Sequence, residues 1–421
     1  MTCKNCKSPK LKKVINIGKQ PISSHFYLKK KTNLRTYSLD LYECQRCKLV
    51  QLKNIPKLDD MYGSNYGYRT SLSPLMINHM KEKANIIKKD IILKKNSNVL
   101  DIGSNDGTFL NFLSKNKKVN LFGIDPSAKK FAQYYDSKIN LIVDYFEKNK
   151  IKSKIDNDIK FSLITSFAMF YDIADPNKFC NDIESLLKND GKWILELSYF
   201  PLLLENLTYD QICHEHVTYY TLSTFEKVAN NNNLKIIDFR FNNINGGSIE
   251  ITCAKKNSKH VSKKNKITKQ KAIEKQITSE SYKKFNDRVE NVKILLNEFL
   301  NNKNNQIIGY GASTKGNIVL NHCNINFNKL KYICDANPYK FNRYTPGSNI
   351  KIISKEEMRK KKPKILLVLI WSFRKEVIKQ ELKFIKNGGK LLFHLPMFHI
   401  VDKYNYMNFT NSNFESFSYN M

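Results

Sequence analysis

The chain has 421 residues, 41% hydrophobic and 26% charged, a globular balance that excludes a disordered or fibrous protein and gives room for about two or three domains, each with its own core. Its formal net charge is +33, from 71 Lys and Arg against 38 Asp and Glu. The lysines are spread along the whole chain without an arginine-rich stripe among aromatics, so no dedicated nucleic-acid partner is expected.

The densest apolar run, Ile365 to Trp371, is far short of a bilayer span. The N-terminus has no secretory pattern. A cytoplasmic protein without a membrane partner is the expectation.

Residues 1–60 carry Cys3-x-x-Cys6 and Cys44-x-x-Cys47. Two such knuckles, each with its turn, can set four thiolates tetrahedrally around zinc. Two disulfides are disfavoured in a reducing compartment, and a redox pair needs no duplicate. Four thiolates leave no open coordination position, so the zinc is expected to be structural. Cys180, Cys213, Cys253, Cys323 and Cys334 are scattered and read as reduced, partly buried thiols. The connector Met61 to Ser71 places Tyr62, Tyr66 and Tyr68 among glycines. It is either a surface loop or a lid whose phenols reach a ligand. A helix over about Leu72 to Lys89 follows.

The stretch VLDIGSNDGTFL, Val99 to Leu110, reads as strand, glycine loop, helix. Its glycines let backbone approach a ligand, and the helix start offers unpaired N–H groups. A second strand, Val119 to Ile124, ends in Asp125, a carboxylate placed to accept the hydroxyls of an adenosine ribose. The loop is not G-x-G-x-x-G and lacks a P-loop lysine. With no pyrophosphate to cradle and carboxylates to face a sulfonium, S-adenosylmethionine suits it better than a dinucleotide; a nicotinamide cofactor and a ligand-free turn stay as alternatives. The candidate cofactor residues are Asp101, Gly103, Ser104, Asn105, Gly107 and Asp125, with Phe167 beyond a later strand.

Strands at Leu141–Val143, Phe161–Thr165 and Trp193–Leu197, with a helix at Pro176–Leu187, continue the alternation of a doubly wound parallel sheet. Ligands bind such sheets beyond the C-terminal strand ends, where Phe167, Tyr171, Asp172 and Glu196 fall.

Next comes Tyr209-Asp-Gln-Ile-Cys-His214-Glu215-His216-Val-Thr-Tyr219-Tyr220. His-Glu-His lacks the i, i+4 histidines of a zincin helix. It reads either as a solvated helix start or as a general base, a histidine tuned by the neighbouring carboxylate. Leu234–Phe239 and Ile249–Ala254, joined through Asn245-Gly-Gly-Ser248, predict an antiparallel finish to the sheet. Lysine-rich Lys255 to Lys275 reads as a boundary and the start of one long solvated helix reaching about Asn301. Residues 61–255 thus form a predicted cofactor-binding domain.

Residues 256–421 hold a second Rossmann-like start. A strand at Gln306–Gly309 runs into Tyr310-Gly-Ala-Ser-Thr-Lys315-Gly316-Asn317 and a helix, a plausible anion cradle with Lys315 as its charge. Strand Leu330–Cys334 ends in Asp335, followed by Asn337, Lys340 and Arg343 on a loop. Strands Ile365–Ile370 and Lys390–His394 complete the sheet, and after about Pro396 the tail turns polar and aromatic. Lys315, Asn317, Asn337, Lys340 and Arg343 are the candidate substrate contacts, facing the cofactor across a cleft.

Taken in order, the double CxxC, DIGSNDGTFL, the His-Glu-His block before Tyr-Tyr, GYGASTKGN and DANPYKFNRYTPG resemble the sugar C-methyltransferase family over nearly the whole chain. The resemblance implies an α/β protein: a doubly wound Rossmann-like methyltransferase domain, a small N-terminal zinc lobe and a C-terminal Rossmann-like lobe that closes on a nucleotide-linked sugar. It implies S-adenosylmethionine and structural zinc as cofactors, and C3 methylation of a 4-keto-6-deoxy sugar. By position it puts Glu215 and His216, with His214 beside them, in the active site, His216 as base, and aligns Tyr66 and Tyr68 with the family's active-site tyrosines. Two positions depart from the family's pattern: Met169 stands where members carry histidine, and Cys213 where they often carry tyrosine. Methylation of a hydroxyl or amine, a nicotinamide-linked sugar oxidoreductase, and a basic zinc-containing nucleic-acid-binding protein are the rival readings.

Overall fold

The computed structural model describes residues 2–57, 60–61, 68–91, 93–115, 119–302 and 306–411. Tyr62 and Tyr66 lie outside these residues; Tyr68 lies within them.

In chain order the strands are β1 (Leu11–Pro21), β2 (Thr36–Cys44), β3 (Val50–Leu52), β4 (Ser97–Ile102), β5 (Val119–Ile124), β6 (Ile139–Ile142), β7 (Phe161–Phe167), β8 (Leu187–Ser198), β9 (Thr218–Tyr219), β10 (Leu234–Asn242), β11 (Ser248–Lys255), β12 (Ile307–Tyr310), β13 (Tyr332–Asp335), β14 (Lys351–Ser354), β15 (Ile365–Val368), β16 (Lys390–Phe393) and β17 (His399–Val401).

The central sheet has the order β10-β11-β8-β7-β4-β5-β6. Neighbours from β6 to β8 pair in parallel, while β11 runs antiparallel to both β8 and β10, the predicted finish. Val99, Leu100 and Ile102 of β4 are buried, as expected for a parallel strand covered on both faces. Chain order reverses beside β4, so the ends of β4 and β5 open onto the crevice where such sheets take ligands.

The C-terminal sheet runs β14-β13-β12-β15-β16-β17, parallel as far as β16. The tail after Pro396 adds an antiparallel edge strand, β17, and a helix at Tyr406–Asn411.

The zinc lobe has the order β1-β2-β3-β9. Its fourth strand comes from just beyond the His-Glu-His block: Val50 pairs with Tyr219 and Gln51 with Thr218. The lobe also belongs to two cores. Ile15, Ile17, Leu39 and Leu41 pack with Ile308, Ile318 and Leu366 of the C-terminal lobe. Cys3, Cys44, Cys47 and Leu49 pack with Phe170, Tyr220 and Phe225 of the central lobe.

The single long helix expected after Lys255 is two, Lys264–Glu274 and Ser279–Asn301. A capping box of Thr278 and Ser281 starts the second. The first ends where buried Glu274 turns onto the start of helix Leu222–Asn231, accepting from Leu222 N at 2.6 Å and Ser223 N at 2.8 Å, a favourable place for a carboxylate. The second buries Tyr282, Phe285, Val289, Val292, Leu296 and Leu300, one helical stripe.

Candidate functional site

The glycine loop after β4 is shaped by what surrounds it. Gly107 has φ +75°, and a Cβ there would lie 2.7 Å from the Tyr135 ring. The Tyr135 hydroxyl is 2.9 Å from Ser104 Oγ and donates to the Asn105 carbonyl at 2.9 Å. Asp125 accepts from Asn105 N at 2.9 Å through Oδ2, and from Ser127 N at 2.6 Å and Ser127 Oγ at 2.5 Å through Oδ1. It therefore closes the loop while Oδ2 keeps a lone pair for a ligand hydroxyl.

Asp101 is 3% exposed and accepts from Thr165 Oγ1 at 2.7 Å. Burial, with Asp125 nearby, pushes its carboxyl up to about 7. A cationic ligand would favour the ionised form. The loop formed by Asp101, Gly103, Ser104, Asn105, Gly107 and Asp125 thus has the carboxylates and close backbone that a cationic ligand such as S-adenosylmethionine requires.

Met169 lies against the same loop, its Cγ 3.0 Å from where a Gly103 Cβ would be. Phe167, at the end of β7, turns edge-on to Phe109 at 4.9 Å. The connector is tied down on the loop. Thr70 N donates to Asn105 Oδ1 at 2.9 Å, Asn105 Nδ2 donates to the Tyr68 carbonyl at 3.2 Å, and Ser71 N donates to Asp106 Oδ2 at 2.9 Å. The Tyr68 side chain remains 49% exposed. Glu196, at the end of β8, is committed elsewhere, to His79 at 2.9 Å, Lys83 at 2.6 Å and Asn242 at 2.7 Å. Burial works to raise its carboxyl, but Lys83 and His79 prevail and hold it at about 2.

The His-Glu-His block is a buried loop, not a solvated helix start. It is pinned by Val217 N donating to the Tyr171 carbonyl at 2.8 Å, and by β9. His214 and Glu215 are buried, and His214 Nε2 donates to the Gln20 carbonyl at 3.2 Å. The His216 ring lies 4.3 Å from that of Tyr171. Burial and the Lys315 ammonium push its imidazolium down to about 3, against a hydrogen bond to the Gln211 carbonyl. Its surroundings therefore favour the neutral imidazole. Glu215 acts electrostatically on His214 and Cys213.

Lys315 brings the C-terminal lobe into this site. Its Nζ donates to Asn245 Oδ1 at 2.9 Å, and Asp210 supports its charge against burial. Asp210 in turn accepts from Trp371 Nε1 at 2.7 Å. Gly246, at φ +83°, leaves room for this joint: a Cβ there would be 2.7 Å from Trp371.

Asn317 also faces this side, its Nδ2 donating to the Ser23 carbonyl at 2.7 Å. Of the other predicted substrate contacts, Lys340 reaches the 311–316 loop, while Arg343 and Asn337 are engaged away from it. Lys340 donates to the Ala312 carbonyl at 2.7 Å and lies 3.6 Å from Asp335 Oδ2. Arg343 donates to the Tyr339 carbonyl at 2.8 Å and the Phe26 carbonyl at 3.3 Å. Asn337 is engaged as a turn cap, accepting from Tyr339 N at 3.1 Å.

The ligand atoms of Cys3, Cys6, Cys44 and Cys47 all lie within 4.8 Å of one another, with Cys3–Cys47 at 3.4 Å and Cys6–Cys44 at 3.5 Å. Sulfurs about 2.3 Å from a tetrahedral zinc stand roughly 3.8 Å apart, so the four fit that ion. Gln211, Asp210 and Trp371, with Gln20, Ser23 and Ser24, are site-facing residues that sequence reasoning does not single out. Trp371 ends the densest apolar run, where a buried ring is the ordinary reading.

Three family models match successive parts of the chain: a zinc binding domain over residues 3–62, a methyltransferase domain over 78–238 and a C-methyltransferase C-terminal domain over 243–396. The chain is 26% identical over 372 residues to the C-methyltransferase NovU of Streptomyces niveus, covering 86% of each. Among solved structures, it is similar to the plantazolicin methyltransferase BpumL in complex with SAH (TM-score 0.34, 16% identity, 42% of this chain and 82% of that one). It is also similar to an S-adenosylmethionine-dependent methyltransferase from Clostridium acetobutylicum (TM-score 0.30, 15% identity, 41% and 89%).

Proposed function

We propose that the chain, whose successive parts match zinc binding, methyltransferase and C-methyltransferase C-terminal domain models and which is 26% identical to a C-methyltransferase, is an S-adenosylmethionine-dependent C-methyltransferase that methylates C3 of a nucleotide-linked 4-keto-6-deoxy sugar. The observation that carries this reading is Lys315 of the C-terminal lobe donating to Asn245 Oδ1 at 2.9 Å at the joint with the central lobe, where its charge and burial push the His216 imidazolium down.

A ketone at C4 acidifies the hydrogen on C3. His216 takes that proton, and the positive charge of Lys315 stabilises the enolate oxygen that results. S-adenosylmethionine, when bound, supplies an electrophilic methyl group. The loop Gly103–Gly107, with Asp101, Asp125 and Phe167, orients that group toward C3, and the 68–71 segment covers the loop and excludes water. Glu215, His214 and the Tyr68 phenol complete the polar wall. Asn317 lies on the sugar side, while Lys340 and Arg343, with Asn337 beside them in the chain, take the diphosphate. The protein would work in the cytoplasm, whose reducing conditions suit nine free cysteines, four of them zinc ligands.

The test is mass spectrometry of a panel of nucleotide-linked 4-keto-6-deoxyhexoses incubated with the protein and S-adenosylmethionine. Gain of one methylene mass with equimolar S-adenosylhomocysteine, and loss of deuterium from C3, is the expected result. Methyl gain with C3 deuterium retained moves the acceptor to a hydroxyl or amine. No product from any member overturns the sugar assignment.

A further inference from the structure

The turn from Gln20 to Ser24 ends β1, where the zinc lobe meets the other two lobes, and the chemistry above makes no use of it. Gln20, Ser23 and Asn317 are 2% exposed or less, and Ser24 is 9%. The turn is fixed from both sides. The Gln20 carbonyl accepts from His214 Nε2 at 3.2 Å, Gln20 Nε2 donates to the Ile318 carbonyl at 3.3 Å, and the Ser23 carbonyl accepts from Asn317 Nδ2 at 2.7 Å.

Yet the remaining polar atoms of these same buried side chains have no partner among the described residues. Gln20 Oε1, Ser23 Oγ, Ser24 Oγ and Asn317 Oδ1 are all unpaired, as are His214 Nδ1 and both Glu215 oxygens across the joint. Buried polar atoms are nearly always hydrogen-bonded, because leaving them unmade costs stability. One stray atom is ordinary. A set drawn from three lobes, beside Gln20 and Ser23 carbonyls that are themselves bonded, offers hydrogen-bonding capacity to a ligand.

Its chemistry narrows the ligand. Two amide oxygens and a carboxylate only accept, and the serine hydroxyls accept or donate. Such a set calls for a ligand with several O–H donors. A phosphate in its ionised form has none and is drawn to cations; those of the C-terminal lobe meet the chain just beyond the turn, with Lys340 Nζ 5.0 Å over the Phe26 ring and Arg343 on the Phe26 carbonyl.

We infer that Gln20, Ser23, Ser24 and Asn317 bind the ring hydroxyls of the acceptor sugar, so that the zinc lobe forms one wall of the substrate site. This rests on the sugar reading above and deepens it. Ser23 and Ser24 then act as specificity residues, recognising hydroxyl groups remote from the reacting carbon.

The experiment compares zinc-loaded full-length protein with its Ser23→Ala and Ser24→Ala variants, using dTDP-4-keto-6-deoxyglucose and S-adenosylmethionine. Each variant is expected to raise KM for the sugar nucleotide about tenfold, with kcat and S-adenosylmethionine affinity within about twofold of wild type. The melting temperature should hold or rise, because a buried unpaired hydroxyl has been removed. An unchanged KM in both variants, or a lowered melting temperature with weakened S-adenosylmethionine binding, overturns the inference.

Should wild type neither bind nor turn over that nucleotide sugar, the sugar-nucleotide reading fails, and free L-fucose decides the hydroxyl site separately. Saturation transfer from wild-type protein to fucose that disappears in the double alanine variant upholds the site. Transfer absent from wild type, or equal in the variant, overturns it.

Discussion

Thr218, two residues beyond His216, pairs through its backbone with Gln51 of the zinc lobe, and Val217 between them donates to the Tyr171 carbonyl. The loop that carries the imidazole is thus held from one side by the central lobe and from the other by the lobe that the four cysteines organise. A zinc ion held by those cysteines would thereby be coupled to the His216 loop without touching it.

Removing zinc should therefore lower turnover before it lowers cofactor binding. Chelation is expected to reduce kcat by about 10–100-fold, the range seen when a supporting shell is lost, while S-adenosylmethionine binding by calorimetry changes much less, because the Gly103–Gly107 loop is built from β4, β5 and Tyr135. Equal losses in both would show that the lobe supports the whole protein rather than the His216 loop.

His216→Ala should abolish turnover with S-adenosylmethionine still bound. Because burial and Lys315 hold the imidazolium down to about 3, wild type should show no histidine ionisation in the acid limb of its kcat profile between pH 5 and 8. In Lys315→Met the histidine should titrate closer to its ordinary range, and kcat should fall by about a hundredfold through loss of the enolate's counter-charge. Pre-steady-state deuterium exchange at C3 reads both effects.

Asp101 gives a prediction with a definite sign. Its folded carboxyl is raised to about 7, above the ordinary value near 3.9, so unliganded protein holds a proton there that the unfolded chain releases. That contribution to stability is present in full below about pH 4 and is lost as pH rises through 7. Cationic S-adenosylmethionine favours the ionised form, so binding near pH 6.5 should release part of a proton. Calorimetry in buffers of different ionisation enthalpy measures the release, which should vanish in Asp101→Asn.

Gly246→Ala tests the joint between the lobes. A methyl there would meet Trp371 at 2.7 Å and Thr208 at 2.8 Å in a left-handed backbone conformation. A loss of about 1–3 kcal/mol in chemical denaturation is expected, with displacement of Lys315 and a lower kcat. Wild-type stability in this variant would mean that the joint yields without cost.

What was legible in the chain is what sits in contiguous residues. The cysteine knuckles and the glycine loop carry their chemistry in a few adjacent positions, and strand alternation from Val99 to Ala254 gave the sheet and its antiparallel finish. The His-Glu-His block could be found, but not its setting. His216 owes its state to Gln211 and Lys315, the second of these contributed by another lobe. Glu215, its chain neighbour, is not among the groups that shift it. β9 spans two residues, too short for any periodicity to register. Between Lys255 and Lys275 the lysines conceal the buried Ile267 and Glu274, so two anchored helices read as one solvated one. Gln20, Ser23 and Ser24 resemble any polar turn until three lobes close around them.

Shared ownership of β9 also constrains how the protein is made. The N-terminal sheet lacks its last strand until Tyr219 leaves the ribosome, by which point every parallel strand of the central sheet up to β8 has been synthesised. Its Ile15–Leu41 face stays uncovered longer still, until the helix Ser279–Asn301 and then Ile308 and Ile318 arrive. The first lobe in the sequence is therefore among the last to be finished, and the nascent chain must carry an open apolar face through most of its synthesis.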